Sequence, residues 1–246
     1  MEEKALKILA INGSHRNDKG FTDIVLKKFL KGAESVNAEC EILYPSVQKI
    51  IPCESCGKCL FETPGICKFN DDMESIISKM DNADQMVFAS PVYFDSISSN
   101  MQKMIERLRP TYDAHFEFRN GKTYHLKRFK KDQKIAVIST AGNPERGTFT
   151  SLDKILNRII DNMGGTVVGE FYFPASHLIV TCPELLSTQF NALESAGKEF
   201  ALNGKIGTEL LEEGNKDYVG DPKIAVEQIT QSILKMREEY TMKQKR

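Results

Sequence analysis

The chain has 246 residues, with 33 Lys and Arg against 34 Asp and Glu, and 41% of its residues are hydrophobic. That length suits one α/β domain with additions, and the near-zero charge leaves no basic footprint for nucleic acid. No uninterrupted apolar run is long enough for a bilayer, and Met1-Glu2-Glu3-Lys4 lacks the basic start of a secretory signal, so a cytoplasmic location with reduced thiols and no membrane partner is expected.

Residues 5–11 are a short apolar run ended by Asn12-Gly13, which predicts a buried parallel strand. A polar loop over 13–22 follows, then a helix with Phe21, Ile24, Val25, Phe29 and Leu30 on one face. Strand, polar loop and helix make the layout of an anion site, where backbone N–H groups and hydroxyls meet a phosphate at the helix N-terminus. Ser14, Arg16, Thr22 and the amides at Gly20 and Phe21 are the expected donors, with His15 as an alternative extra one. The loop is neither a Walker A loop nor a GxGxxG fingerprint, so ATP and NAD pyrophosphate are not indicated.

A second strand covers 39–44, and the cysteine-rich stretch comes next. Cys53, Cys56 and Cys59 fall three apart, and Cys67 follows after seven residues. Four thiolates so spaced can converge on one inorganic centre, and a [4Fe–4S] cluster needs one soft external ligand per iron. Gly57 permits a tight turn between ligands, and Thr63-Pro64-Gly65 can reverse the chain toward Cys67. Structural zinc, disulfides and unmetallated thiols are the alternatives. Zinc sites more often pair two separated C-x-x-C knuckles, and a reducing compartment disfavours disulfides. Cys40, inside a strand, and Cys182, after the fifth strand, read as structural.

Asp71 is a candidate N-cap for the next helix, with Glu74 as its capping-box partner. A third strand spans 86–90. Pro91, Val92, Tyr93 and Phe94 lie just past its carboxyl end, where ligands sit in doubly wound sheets. Ile97, Met101, Met104, Ile105 and Leu108 form a helical core stripe. Residues 110–133 make a long polar and aromatic connection, expected to be a lid or small hairpin. Its basic run from Lys127 to Lys134 reads as a solvated face, with anion recognition as the alternative. A fourth strand covers 134–140, with Thr140, Ala141, Gly142 and Asn143 at its carboxyl end. A helix follows, stopped by Gly164-Gly165. Strand 167–173 and a helix around 185–193 come next. The pattern loosens after Gly204, and a last amphipathic helix carries Ile224, Val226, Ile229, Ile233 and Met236. His115, His125 and His177 show no metal spacing.

The alternation predicts a doubly wound, five-stranded parallel sheet in the order 2-1-3-4-5. Residues 1–203 form the cofactor-binding domain, with the cysteine loop 53–67 inserted after strand two, and 204–246 form a helical C-terminal extension. Loops 13–22, 91–94 and 141–143 then share one sheet edge. One phosphate loop and two loops rich in Pro or Gly suit a mononucleotide with a flat ring, as in FMN.

Gly-Ser-x-Arg…Thr after strand one, Cys-x2-Cys-x2-Cys-x7-Cys before Asp-Asp-Met, and Ser-Pro-Val-Tyr before an amphipathic helix resemble the iron–sulfur flavoprotein family, within the flavodoxin-like NAD(P)H-dependent FMN reductases. The resemblance spans roughly residues 5–200. It implies non-covalent FMN, a [4Fe–4S] cluster and a homo-oligomer, dimer or tetramer, in which electrons cross between subunits. Ser14, Arg16 and Thr22 match the phosphate loop. Pro91, Val92, Tyr93 and Phe94 match the loop along the flavin ring, and Cys53, Cys56, Cys59 and Cys67 match the cluster ligands. The chain departs from the family at His15, where proline is frequent, and in a longer 110–133 connection and tail. The expected function is electron transfer between cluster and FMN, with a redox protein such as ferredoxin or a small-molecule electron acceptor as partner and NAD(P)H as a donor to be tested. An NAD(P)H-dependent FMN or quinone reductase without a cluster, and a non-enzymatic electron carrier or redox sensor, are the alternatives. No side chain is assigned as a nucleophile. The N–H groups of 92–94 are expected to face the reduced flavin, and a cysteine loop on the same side of the sheet is expected to shorten the electron path.

Overall fold

The computed structural model describes residues 5–128 and 132–244. Met1–Lys4 and the Lys130 and Lys131 of the basic run lie outside them, as does the side chain of Met236. In chain order the elements begin with β1 (Lys7–Asn12), α1 (Phe21–Glu34), β2 (Glu39–Leu43), α2 (Lys58–Phe61), α3 (Met73–Asn82), β3 (Gln85–Pro91) and α4 (Ser99–Glu106). They continue with β4 (Tyr112–Arg119), β5 (Lys122–Lys127), β6 (Lys134–Thr140), α5 (Thr150–Asn162) and β7 (Thr166–Phe173). The last are α6 (Leu178–Thr181), α7 (Ser187–Asn203), α8 (Thr208–Gly214) and α9 (Pro222–Gln244).

The main sheet runs β2-β1-β3-β6-β7, all parallel, which is the expected 2-1-3-4-5 order with the β4–β5 hairpin counted out. The central strands are buried on both faces, so alternate residues serve opposite layers. Ile8 and Ala10 of β1 join the layer of α1 and α7, around Phe29, Phe171 and Phe200. Leu9 and Ile11 join the layer of α3, α4 and α5, around Met73, Met101 and Leu156. Each such fully buried large side chain contributes about 1.5–3 kcal/mol. The helices α1 and α7 touch backbone to backbone. A Cβ on Gly32 would lie 1.7 Å from the Glu194 carbonyl oxygen, and one on Gly197 would lie 1.8 Å from that of Phe29.

Two readings of the chain change. Asp71 does not cap α3; Asp72 holds the cap position, and it makes no side-chain cap bond. The Asp71 carboxylate accepts the Met73 N–H at 3.2 Å and the Ile51 N–H at 2.9 Å, and its main partner is the buried guanidinium of Arg107. The chain after Gly204 is also more ordered than its pattern implies. Ile206 and Leu211 would meet a Cβ on Gly169 at 2.7 and 2.9 Å, so α8 packs directly onto the edge strand β7. Asn215 then takes the Tyr172 N–H at 3.0 Å and donates to the Glu170 carbonyl at 2.7 Å, covering an edge that would otherwise be unpaired. The 110–133 connection is a hairpin turned by Asn120-Gly121, both at positive φ (51° and 74°). No helix among the described residues is long and apolar enough to cross a membrane.

Candidate flavin cleft and cysteine centre

Ten of the thirteen residues expected at the flavin line one cleft of about 250 Å³ at the carboxyl edge of the sheet. Ser14, Arg16, Gly20, Phe21 and Thr22 form one wall, and Pro91, Val92, Tyr93, Thr140 and Gly142 the other. Ser176, after β7, also lines it and was not foreseen; the carboxyl-end rule applied to the fifth strand would have found it. Helix α1 opens at Gly20 with no side chain capping it, so its first N–H groups face the anion end. A Cβ on Gly20 would lie 2.3 Å from Ser14 Oγ, so only glycine lets that hydroxyl fold over the helix start.

The loop's shape is set from beneath. Asn12 Oδ1 accepts the Ser14 N–H at 3.0 Å, and Asn12 Nδ2 donates to Asp23 Oδ1 at 3.1 Å. The Tyr44 hydroxyl donates to the same Asp23 oxygen at 2.7 Å. Ser14 Oγ accepts the Arg16 N–H, which leaves its proton for a ligand. The Thr22 and Thr140 hydroxyls share one hydrogen bond of 2.7 Å; of their two protons, one stays available. Arg16 is exposed, its guanidinium 5.4 Å from the Phe21 ring centre. His15 does not line the cleft. It bonds Asn100 at 2.8 Å and stands edge-on to Tyr93, tying the 13–22 loop to α4 and to the 91–94 loop.

Three expected residues lie outside the cleft lining. Phe94 is fully exposed at the tip of a turn closed by Tyr93 and Ser96, with φ of 45° at Phe94 and 58° at Asp95. Ala141 and Asn143 shape the neighbouring loop through Ala141 N–H to Phe173 O (3.0 Å) and Ala175 N–H to Asn143 O (2.8 Å). The expected amide set at 92–94 is also reduced. The Val92 N–H donates to Thr140 O and the Tyr93 N–H to Ser96 O, because sheet and turn claim them first.

Cys53, Cys56, Cys59 and Cys67 all line a second cavity of about 470 Å³, together with Lys68, Phe69, Arg107 and Arg109. Local geometry places them. Gly57 (φ 73°) starts α2, and Gly65 (φ 87°) donates its N–H to Cys59 O at 3.0 Å, returning the chain to Cys67. Burial and the three neighbouring sulfurs push the Cys59 thiol above its ordinary pKa, with Arg109 pulling the other way. Among the described residues, no three His, Cys, Asp or Glu side chains converge on a single metal-ion position. Cys40 is half-buried in β2, where burial pushes its thiol up to about 12.

Behind the cavity, Arg107 and Asp71 form a two-pronged ion pair, Nη1 to Oδ2 at 2.6 Å and Nη2 to Oδ1 at 3.1 Å, each side chain 1% exposed. Arg107 also donates to the Ile51 carbonyl and, through Nη2, to Cys67 Sγ at 3.4 Å. Burial alone would raise the Asp71 carboxyl, yet the bonds from Arg107 and from the Ile51 and Met73 amides hold it below the usual carboxylate range. Nothing in the sequence marked Arg107; it reads as an ordinary basic residue after a helix.

The two cavities have no lining residue in common. Helix α4 separates them. Ser98, at its N-cap, bonds Ser90 of β3 beside the cleft, and Glu106 and Arg107, at its far end, line the cysteine cavity. Eight residues of helix span about 12 Å.

The model of the NADPH-dependent FMN reductase family matches residues 6–178. The chain belongs to that family. An iron–sulfur flavoprotein of Archaeoglobus fulgidus is 33% identical over 164 residues, 67% of this chain and 66% of that protein. Another from Methanocaldococcus jannaschii is 31% identical over 115 residues, 47% of this chain and 58% of its own length. The match thus spans from just over half to two thirds of these relatives. An FMN-dependent NADH-azoreductase of Bacillus anthracis, solved with FMN, superposes with a TM-score of 0.58 at 17% identity, over 80% of this chain and 99% of that one. That likeness fixes the flavodoxin-like fold of this family member.

Proposed function

We propose that this chain is an FMN-dependent oxidoreductase whose Cys53, Cys56, Cys59 and Cys67 hold a [4Fe–4S] cluster, and that it transfers electrons between cluster and flavin in a homo-oligomer. The observation that carries this reading is the gathering of all four cysteines around one cavity walled by Lys68, Arg107 and Arg109. Four soft thiolates match iron–sulfur chemistry; of the three cations beside them, Lys68 is paired with Glu54 and Arg107 with Asp71. The lack of a convergent single-ion position among the described residues is compatible with it, because each thiolate of a four-iron cluster binds its own iron. Bound FMN supplies two-electron and one-electron chemistry and the cluster supplies single electrons, so together they match two-electron donors to one-electron acceptors.

The chain's own residues bind and orient. The N-terminus of α1, the Ser14 hydroxyl and Arg16 hold the flavin phosphate. Pro91, Val92, Tyr93 and Thr140 wall the ring site, and Gly142, whose Cβ would meet nothing within 4 Å, leaves room beside it. A redox protein such as ferredoxin, or a small-molecule acceptor, is the proposed partner.

A second reading, an NAD(P)H-dependent FMN or quinone reductase without a cluster, draws on the family match itself. Anaerobic purification with iron, acid-labile sulfide and flavin quantified separates the two. The leading reading expects about four iron and four sulfide per chain beside one FMN. Flavin without iron after reconstitution, with rapid bleaching by NADPH alone, establishes the second.

A further inference from the structure

Among the described residues, Arg107 is the largest fully buried side chain, and the flavin cleft gives it no role. A buried ion pair is seldom needed for stability, since well-packed apolar residues of similar size serve as well or better. An apolar pair, however, cannot bond a sulfur. Arg107, not Asp71, reaches Cys67 Sγ, at 3.4 Å, so the positive member of the pair stands between the carboxylate and a predicted cluster ligand.

We propose that the Arg107–Asp71 pair sets the reduction potential of the centre held at Cys67, with Arg107 raising it and Asp71 offsetting that effect. This rests on the reading that the four cysteines hold a cluster. An added electron increases the negative charge on the cluster and its thiolates. A buried cation that also donates a hydrogen bond to sulfur stabilises that reduced state more than the oxidised one. Asp71, fixed in the same low-dielectric wall, opposes it. Arg107 is thus a positioning and charge-setting residue acting through Cys67, and the two members of the pair have effects of opposite sign. A purely structural staple between the cysteine loop and α4 would give both members the same phenotype.

The test compares wild type, Arg107→Gln, Arg107→Lys and Asp71→Asn, all prepared anaerobically and reconstituted with iron and sulfide. Flavin content checks the fold, iron and sulfide check loading, and a dye-mediated titration followed by EPR gives the cluster midpoint. Arg107→Gln should shift the reduction equilibrium at least tenfold toward the oxidised form, 59 mV for a one-electron couple. Asp71→Asn should shift it toward the reduced form, and Arg107→Lys should fall between Arg107→Gln and wild type. If Arg107→Gln fails to fold, Asp71→Asn decides: a midpoint unchanged or lowered overturns the inference. Equal shifts of one sign in both substitutions, full loading with no shift, or loss of iron from all three variants also overturn it and leave a structural staple. Wild type that takes up no iron overturns the cluster reading itself, and this inference with it; loaded wild type with unmoved potentials overturns the inference alone.

Discussion

The flavin cleft and the cysteine cavity are built by opposite strategies. The cleft gathers residues from Ser14 to Ser176 at the edge of a rigid sheet, and it works with main-chain N–H groups, hydroxyls and glycine. The cysteine cavity draws its four thiols from fifteen consecutive residues, 53–67, with little regular structure, and is fastened by one buried ion pair at the end of α4. A site made by topology tolerates local change, because each strand end contributes only a part. A site made by local spacing depends on every ligand and on its anchor.

The largest effect tests that asymmetry directly. Any one of Cys53→Ser, Cys56→Ser, Cys59→Ser or Cys67→Ser should lose most iron and sulfide and the associated visible absorbance, since serine is a harder, poorer ligand. FMN content should persist in all four. Cys40→Ser and Cys182→Ser should keep both cofactors. Loss of flavin along with iron would mean that the two regions are not independent.

Next comes the anchor. Arg107→Met leaves Asp71 buried and unpaired and should cost about 3–5 kcal/mol in urea unfolding. Adding Asp71→Leu should recover most of that loss. A double variant no more stable than the single would show that the pair's hydrogen bonds, rather than the stranded charge, secure the cysteine loop.

In the cleft, single changes should act on affinity while leaving stability nearly intact. Thr22→Ala or Arg16→Ala should weaken FMN binding by about 1.5–3 kcal/mol, read by flavin fluorescence titration. Arg16 should sit at the lower end and lose its contribution as salt is raised, because it is exposed. Affinity unchanged in both variants would move the phosphate site elsewhere.

The smallest effect separates the regions by pH. Asp71 has its folded pKa below the ordinary value of 3.8, so its contribution to stability is present above that value and is lost as pH falls through the lower, folded one. Urea midpoints of wild type should therefore decline below about pH 4. Asp71→Asn should flatten part of that decline, whereas Thr22→Ala should leave its shape unchanged. An acid limb identical in all three proteins would remove Asp71 from the linkage.

Much of this was legible in the chain. Short apolar runs marked the five parallel strands and period-3.6 stripes their helices, and carboxyl-end topology gathered three distant loops into one cleft. The cysteines were legible because ligand spacing is a local property. The Asn120-Gly121 pair is a readable hairpin signal within the 110–133 connection. Other features were not readable. Asp71 carries the marks of an N-cap, and only the fold brings Arg107 against it. Gly32 and Gly197 look like ordinary helix glycines until the contact of α1 with α7 shows that a methyl group would collide with backbone.

The sequence by itself determined the elements, the order of the sheet and the four thiols, because propensity, periodicity and short spacing act over a few residues. Tertiary structure alone decided which charge stands beside Cys67, which amides at 92–94 are already engaged, and that a whole helix parts the flavin cleft from the cysteine cavity. Those outcomes depend on contacts between residues tens of positions apart, where burial and competition for hydrogen-bond donors choose among partners that local chemistry treats as equivalent.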